Sequence, residues 1–340
     1  MKYPVVGIMG VLAALGLAGV SSDACAQSSV QLYGIIGTYV GSVKKSGSTP
    51  AALVEGGGGL TTSFWGIRGT EDIGGGTSVI FTLESFFQPT TGAQGRTAAD
   101  PYWSRSSYVG ITGDYGRVTF GRQTNPTYLN MQYLNPFGAS VVFSPLVVQS
   151  FVAGFNGVIV GDTVWNNTVQ YTTPTVSGLS ATGIYGFGGV AGETGIANVG
   201  LHATYTNGPF LAAVSAQRVR TPVTSPVTEQ YAWLGGATYN FGVAKVYAAA
   251  EATNAYGAQI GTHTYELGLS IPIAKTDSIL MEWARTASSS AKVSTRRTTA
   301  ALAYDYFLSK RTDVYLVYMY DKLTPNGSAS TTALAIRHAF

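Results

Sequence analysis

The sequence predicts an all-β fold, a 16-stranded antiparallel transmembrane β-barrel with an infolded third long loop. Three observations carry this. The 340 residues are 45% hydrophobic but only 11% charged, where a typical soluble domain is about a quarter charged. Past the N-terminus no stretch resembles a run of about 18 apolar residues, so no spanning helix is visible. The hydrophobic period is two: Leu267-Gly268-Leu269-Ser270-Ile271 and Leu334-Ala335-Ile336-Arg337-His338-Ala339-Phe340 alternate apolar with small or polar residues, as a strand does with one face in lipid and one in water. Lipid cannot satisfy backbone N–H and C=O groups, and only a closed sheet leaves no edge. A secreted β-sandwich or β-helix would carry more charge, shorter strands or an internal repeat.

Taken in order, the chain opens with a secretory signal. Lys2 supplies the positive start, Val5 to Val20 the uncharged apolar core, and Ala24-Cys25-Ala26 the small-x-small cleavage site. The expected division is residues 1–26 as signal and 27–340 as barrel. Lipoprotein processing at Cys25 is disfavoured because Ser22-Asp23-Ala24 lacks the apolar residue such a site wants. Cys25 is the only cysteine, so the mature chain is expected to hold no disulfide and no thiol chemistry. The net charge of +3 is dispersed, which argues against nucleic-acid binding.

Strands are expected at 30–42, 60–70, 77–88, 104–112, 117–123, 163–172, 179–188 and 198–206. Eight more follow at 210–219, 230–239, 243–252, 263–271, 278–286, 297–308, 314–321 and 331–340. Short turns join them in pairs at EDIGGG (Glu71–Gly76), GDYG (Gly113–Gly116), TPTVSG (Thr173–Gly178), NGP (Asn207–Pro209), NFG (Asn240–Gly242), PIAKTD (Pro272–Asp277) and SKRTD (Ser309–Asp313). Longer connections alternate with them, near 43–59, 89–103, 124–162, 189–197, 220–229, 253–262, 287–296 and 322–330. Most segments match the 9–11 residues that a tilted strand needs to cross a bilayer. Short turns at one end and long loops at the other mark an outer-membrane barrel.

At sixteen strands a barrel is too wide for side chains to fill, and an aqueous channel remains. The connection after Gln123 then acquires a place. It contains no Asp, Glu, Lys or Arg up to Asp162 and is too apolar for a disordered linker. It is expected inside the lumen, against the wall.

Several stretches together resemble the general diffusion porins of Gram-negative outer membranes, particularly the β-proteobacterial type. They are SSVQLYG (Ser28–Gly34), WGIRGTEDIGGG (Trp65–Gly76) with FTLES (Phe81–Ser85), SYVGITGDYGRVTFGRQ (Ser107–Gln123), NNTVQYTTP (Asn166–Pro174), YDYFLSKRTDVYLVYMY (Tyr304–Tyr320) and the final IRHAF. The resemblance implies a homotrimer, each barrel with its own pore narrowed by the third long loop. It implies an outer-membrane location, lipid contact, and passage of ions and small hydrophilic solutes. In such porins basic residues on one wall face acidic residues on the infolded loop.

By that resemblance Arg68 in WGIRG, Arg105 in RSSYVG and Arg122 in FGRQ are the constriction's basic residues. Period two puts Arg68 with Gly66 and Thr70, and Arg105 with Ser107 and Val109, on the expected lumen face. In lipid such arginines would cost roughly 2–4 kcal/mol each near the midplane. Pairing with acids near a rim is the competing reading, strongest for Arg122. Glu84, on a face with Thr82 and Phe86, is expected to offset the arginines. Glu71, Asp72, Asp114 and Asp313 are expected to be solvated residues of the short turns.

Two departures change the expected mechanism. Phe64 stands where the family usually has arginine, and the loop keeps Pro136-Phe137-Gly138 without its usual acids. The field should be weak, the preference mildly for anions, and Phe64, Phe137 and Phe143 should narrow the pore. Arg218, Arg220, Lys245, Arg285 and Arg337 are expected as a lumen ladder, with rim positions as the alternative, and Arg296 and Arg297 beside an external loop. Trp65, Trp103, Trp165, Trp233 and Trp283 suit interfacial girdles. Phe340, with Ile336 and His338 on its face, resembles the terminal signal read by the barrel-assembly machinery. His202, His263 and His338 are isolated, and no HExxH or GxSxG occurs. No enzyme activity, metal or cofactor is therefore expected. A substrate-specific channel and a surface-binding or adhesive barrel are the alternatives.

Overall fold

The computed structural model describes residues 29–48, 50–193, 195–290 and 294–340. The expected signal, 1–26, lies outside them. The strands are β1 (Ser29–Val43), β2 (Ala52–Gly57), β3 (Phe64–Gly74), β4 (Thr77–Phe86), β5 (Ser106–Gly113), β6 (Gly116–Thr124), β7 (Val164–Thr172) and β8 (Leu179–Phe187). They continue as β9 (Ala197–Asn207), β10 (Phe210–Val219), β11 (Glu229–Asn240), β12 (Lys245–Tyr256), β13 (Ile260–Pro272), β14 (Asp277–Ser289), β15 (Ser294–Ser309), β16 (Thr312–Thr324) and β17 (Gly327–Ala339). Each strand from β3 on pairs antiparallel with the next, and β17 closes on β1 from Ile35↔Ala339 to Ser42↔Thr332. Gly34 N donates to Phe340 O at 3.2 Å and Phe340 N to Gly34 O at 3.0 Å, which continues the seam to the last residue.

Seventeen strands make sixteen wall positions, because β2 and β3 share one flank of β1. Phe64–Thr70 of β3 pair with Ser29–Ile35, and Ala52–Gly57 of β2 pair with Thr38–Val43. The second wall position is therefore interrupted at 58–63. Gly58 and Gly59 have φ of +89° and +102° there, a left-handed conformation that glycine adopts without steric penalty. The detour sends Leu60 to the inside, where its N–H donates to the Tyr315 hydroxyl at 2.9 Å. The sequence predicts one strand at 60–70 and a loop before it, because the glycine run at 56–59 hides the alternation of β2.

All sixteen expected segments overlap wall strands, but three expected long connections are corrected. Between 253–262 and between 322–330 the strands run on and turn at 257–259 and 325–326. Likewise β14 reaches Ser289 and β15 starts at Ser294. Beyond the bilayer the alternating residues become Thr, Ser and Asn, so the apolar signal fades while the hydrogen-bond ladder continues. Thr253 and Thr262 illustrate it, with hydroxyls 2.6 Å apart on the buried face.

The lumen is partly filled by the 125–163 connection, which contains α1 (Pro126–Leu134), α2 (Pro145–Phe151) and a 3-10 turn, Ala153–Phe155. The sequence pattern predicts no helix here. These helices are surrounded by wall and loop, so they show no apolar stripe. Asn125-Pro126 and Ser144-Pro145 do carry the signal of a capping side chain followed by proline. Asn125 Oδ1 accepts from Tyr128 N at 2.8 Å and Ser144 Oγ from Val147 N at 3.3 Å.

Small inward-facing wall residues make the seat for this loop. A Cβ on Gly200 would lie 2.8 Å from Pro126 Cγ, and one on Gly268 2.5 Å from Pro136 Cδ. Around these contacts Met131, Leu134, Leu146 and Val147 pack on Ala213, Leu234 and Ala249. On the other side Phe137, Phe143 and Val148 pack on Tyr315, Val317 and Met319. Burial of this apolar surface, at about 25 cal/mol per Å², is what draws an uncharged loop into the barrel.

Candidate pore constriction

An open space of about 560 Å³ remains beside the loop, bordered by Arg68, Glu84, Arg105, Tyr108 and Arg117 on the wall and by Leu129 of α1. Arg68 projects into it from β3, on one face with Phe64, as alternation requires. Its Nε and Nη2 donate to Gln31 Oε1 at 3.0 and 2.7 Å, and its guanidinium covers the Tyr33 ring at 4.7 Å. Arg105 forms an ion pair with Glu84 and lies 4.1 Å over the Phe64 ring. Glu84 also accepts from the Tyr33 hydroxyl at 2.6 Å. Phe64 thus serves as a platform for Arg105, and its own ring is buried.

The expected parity of β5 is corrected. Val109 is 52% exposed and Ile111 lies on its face, both turned outward, while Ser106 and Tyr108 border the lumen. Arg105 reaches the lumen because it precedes the first residue of β5 and escapes the alternation. Arg117 is a lumen residue that the sequence does not single out. It stands directly after the GDYG turn, and on β6 it shares the inner face with Thr119.

Arg122 is not a lumen residue. The alternation that puts Arg117 and Thr119 inside puts Gln123 inside as well and leaves Arg122 on the outward face with Phe120, and the β6–β7 register shift between Gly121 and Gln123 places its extra residue on β7. Arg122 Nε donates to Ser104 O at 2.9 Å and its Nη2 approaches Asp162 Oδ2 at 3.1 Å. Asp162 also meets Arg96 Nη1 and Nη2, each at 2.7 Å, and Arg96 Nε meets Asp100 at 2.9 Å. This clamp fastens the 87–105 connection to the root of the infolded loop.

Burial opposes the ionised Asp162 carboxylate, but hydrogen bonds from Arg96 and the charges of Arg96 and Arg122 outweigh it. Its pKa is held below the ordinary value, and Asp100 is lowered against its own burial in the same way by Arg96. A depressed folded-state pKa gives stabilisation that is full above the unfolded value, about 3.9, and is lost as pH falls through the folded one. Pepsin cleavage within 89–103, normalised to the denatured chain, should stay slow from pH 5 to about 4 and accelerate below. Asp162→Asn should be fast at pH 5 already. Equal rates for both chains throughout would refute the clamp.

Phe137 is corrected as well. It is 3% exposed, and Phe143 is fully buried against Tyr39 and Tyr315 at ring distances of 5.3 and 6.5 Å. Both thicken the loop from beneath. Tyr133, 47% exposed, is the loop aromatic that meets water.

The acids missing from the loop are on the wall underneath it. Glu282 Oε1 accepts from Ser144 Oγ at 2.9 Å and Leu146 N at 2.7 Å, and Glu251 Oε2 from Ser150 Oγ at 3.0 Å. Gln149 bonds Thr286 and Thr299 at 2.6 and 2.7 Å. Glu266 is buried beside them. Asp313, expected to be solvated, is buried and paired with Arg337 at 2.8 Å, and buried Asp321 binds Arg297. Glu71, Asp72 and Asp114 are exposed as expected.

The expected basic ladder is divided. Lys245 and Arg337 point inward, and Arg220 pairs with Glu229 at 3.1 Å beyond the end of β10. Arg218 and Arg285 point outward, in register with Tyr231 and Tyr265. Trp165 leaves the expected girdle, buried with Ile184 and Val219 inside. Phe340 stands on the outward row of Ile336 and His338, its ring edge against Gly34. Among the described residues no helix is long and apolar enough to cross a membrane, and no group of three or more His, Cys, Asp or Glu is placed to hold a metal.

Comparison with known proteins matches residues 11–326 to the Gram-negative porin family. Outer membrane porin protein 32 of Delftia acidovorans is 31% identical over 337 residues, 97% of this chain and 93% of the relative. An outer membrane porin protein of Bordetella pertussis is 27% identical, over 97% of this chain and 99% of the relative. Among solved structures, an anion-selective porin from Comamonas acidovorans superposes with a TM-score of 0.75 at 28% identity, over 92% of this chain and all of that one.

Proposed function

This chain belongs to the Gram-negative porin family, and from that premise we propose an outer-membrane diffusion channel that prefers small anions. The charge seen by the water in the lumen carries the reading. Arg68, Arg105 and Arg117 border the open space with one carboxylate, Glu84, and that one is already bonded to Arg105 and Tyr33. The inward acids of β12 to β16, Glu251, Glu266, Glu282, Asp305, Asp313 and Asp321, are each at most 5% exposed. Beside the loop a passing ion meets cations and, among the described residues, no unpaired carboxylate, and a basic constriction favours anions. The anion-selective Comamonas porin supports the same direction.

Nothing in this arrangement performs a reaction, and we read the protein as a channel and not as an enzyme. We further propose a homotrimer, cleavage after Ala26, and recognition of Phe340 by the assembly machinery. Planar-bilayer recording tests the central claim. Under a KCl gradient the reversal potential should have the sign of chloride preference, with closures in three equal steps. Cation preference would overturn the reading of the charges, and a silent barrel the reading as a channel.

A further inference from the structure

The turn of the first hairpin, between β1 and β2, stands at the loop end of the wall, yet it is folded inward. Ser46 is buried. Its N–H donates to Asp321 Oδ2 at 2.8 Å, its hydroxyl donates to Gly327 O and accepts from Leu323 N at 3.0 Å, and its carbonyl accepts from Arg297 Nη2 at 3.4 Å. Beside it Lys44 N donates to Thr331 Oγ1 at 3.2 Å, and Lys44 O accepts from the same hydroxyl at 3.3 Å. The tip is thus bonded to β15, β16 and β17 on the face that looks into the barrel.

From there a chain of side chains leads to the infolded loop. Asp321 Oδ1 accepts from Arg297 Nε at 2.9 Å and from Thr299 Oγ1 at 3.0 Å. Thr299 Oγ1 in turn accepts from Nε2 of Gln149, in α2, at 2.7 Å. A hydroxyl that donates to one partner and accepts from another strengthens both bonds. A second contact goes to Phe155 in the 3-10 turn. Its buried ring carries the Arg297 guanidinium at 4.8 Å and the Lys45 ammonium at 5.6 Å, close enough for cation–π attraction. Further along the same segment, Ser140 Oγ donates to Gly59 O at 2.7 Å. The hairpin and its exit therefore hold the loop before α2, within it and after it.

This gripping element is the least anchored part of the wall. Among the described residues β2 is laddered to β1 alone, by six residue pairs. Four glycines, Gly56 to Gly59, join it to the rest of the chain, and glycine leaves a junction the most backbone freedom. A segment with one paired edge and few buried contacts opens locally at lower cost than a strand paired on both sides.

We infer that the tip of the first hairpin is a strap on the constriction loop. Ser46 is its positioning residue, acting on α2 through Asp321 and Thr299 and on Phe155 through Arg297. Lifting the tip from β15–β17 frees the loop and widens the pore. The inference rests on the reading of the chain as a channel and concerns its regulation. Long loops of such barrels face outward, so an event that displaces the tip outside acts on the constriction without entering the pore.

Single-channel recording of the full chain in planar bilayers tests it. Ser46→Ala removes both hydroxyl bonds of the tip, and Thr299→Val cuts the relay while leaving the tip untouched. Each should raise the frequency of larger openings about fivefold, the scale of one buried hydrogen bond. The double variant should be little noisier than either single one, because both cut the same chain. Ser46→Thr, which keeps the hydroxyl, should be as quiet as wild type. A direct link gives the sharper readout. A Cβ on Gly154 would meet Lys45 first, with Nζ 2.5 Å away, and Cys25, the one native cysteine, precedes the expected mature chain. Lys45→Cys and Gly154→Cys, joined by a short bis-thiosulfonate reagent in the Ser46→Ala background, should restore the quiet state, and reduction should abolish it again. An unchanged main conductance reports that the variant barrels fold, and if Ser46→Ala does not fold, Thr299→Val and the linked pair in the otherwise native chain carry the test. Variants that conduct with wild-type noise would overturn the strap alone, as would a link that leaves the noise unchanged. A silent wild type would overturn the reading as a channel and the strap with it.

Discussion

Reversing the charge of Arg68, Arg105 and Arg117 together should turn the channel from anion-preferring to cation-preferring. An ion about 5 Å from a fixed charge in water-like dielectric interacts by about 0.8 kcal/mol, roughly fourfold in local occupancy. Reversal doubles that difference at each position, and salt screening reduces it at high ionic strength. A shift in permeability ratio of about tenfold or more is expected in dilute KCl, smaller at 1 M. The three positions are not equivalent. Arg68 and Arg117 make no ion pair among the described residues, so their charge acts on the lumen undiminished. Arg105 is neutralised in part by Glu84, which is itself buried. Arg105→Ala would therefore also release the charge of Glu84 and strip a buried carboxylate of its partner. The double variant R105A/E84Q should recover part of the lost anion preference. Lys245→Glu lies away from this space and should have the smallest effect. A reversal potential of unchanged sign in the triple variant would mean that the selectivity arises elsewhere.

The barrel is legible in the sequence because lipid imposes one rule on every strand, and the rule is local. Leu334 to Phe340 shows it within seven residues. Side-chain direction is less legible wherever the chain breaks period two. Alternation puts Arg105 in the lumen, where it is, but on a parity that Val109 contradicts, because the residue precedes β5. Arg122 obeys the alternation of β6, outside with Phe120 while Thr119 and Gln123 are inside, and the resemblance of FGRQ to the family pattern, not the period, is what places it in the lumen. Arg285 resembles a lumen residue because near the interface an arginine is inexpensive on either face, so the alternation alone has to decide its side. The seat of the infolded loop is not legible at all. Its uncharged composition announces burial, but Glu282 is 138 positions from Ser144, and no local pattern joins them. A loop that lacks acids has in fact borrowed them from the wall, on its hidden side, where they fasten it and leave the lumen field to the arginines.

Glu282→Ala should accordingly leave the barrel closed and loosen the loop. The carboxylate is buried and accepts from both Ser144 Oγ and Leu146 N at the start of α2. The first N–H groups of a helix have no partner within it, and a negative group there is favourable. Truncation leaves two buried donors without an acceptor, at about 1–3 kcal/mol. That shifts the ratio of docked to undocked loop by roughly 5- to 150-fold. Because α2 also holds the wall through Gln149 and Ser150, the expected phenotype is flicker in single-channel current and occasional larger openings. Glu282→Gln separates the two functions of the group. Its amide oxygen still accepts from Leu146, and it removes one of two neighbouring buried carboxyl groups, since Glu266 stands diagonally across β13 with neither oxygen bonded. The glutamine variant should therefore be as quiet as wild type or quieter. If Ala and Gln variants flicker alike, the acceptor at Oε1 is not what holds the loop. If neither differs from wild type, the apolar seat around Gly200 and Gly268 suffices, and the wall acids are not the fastening.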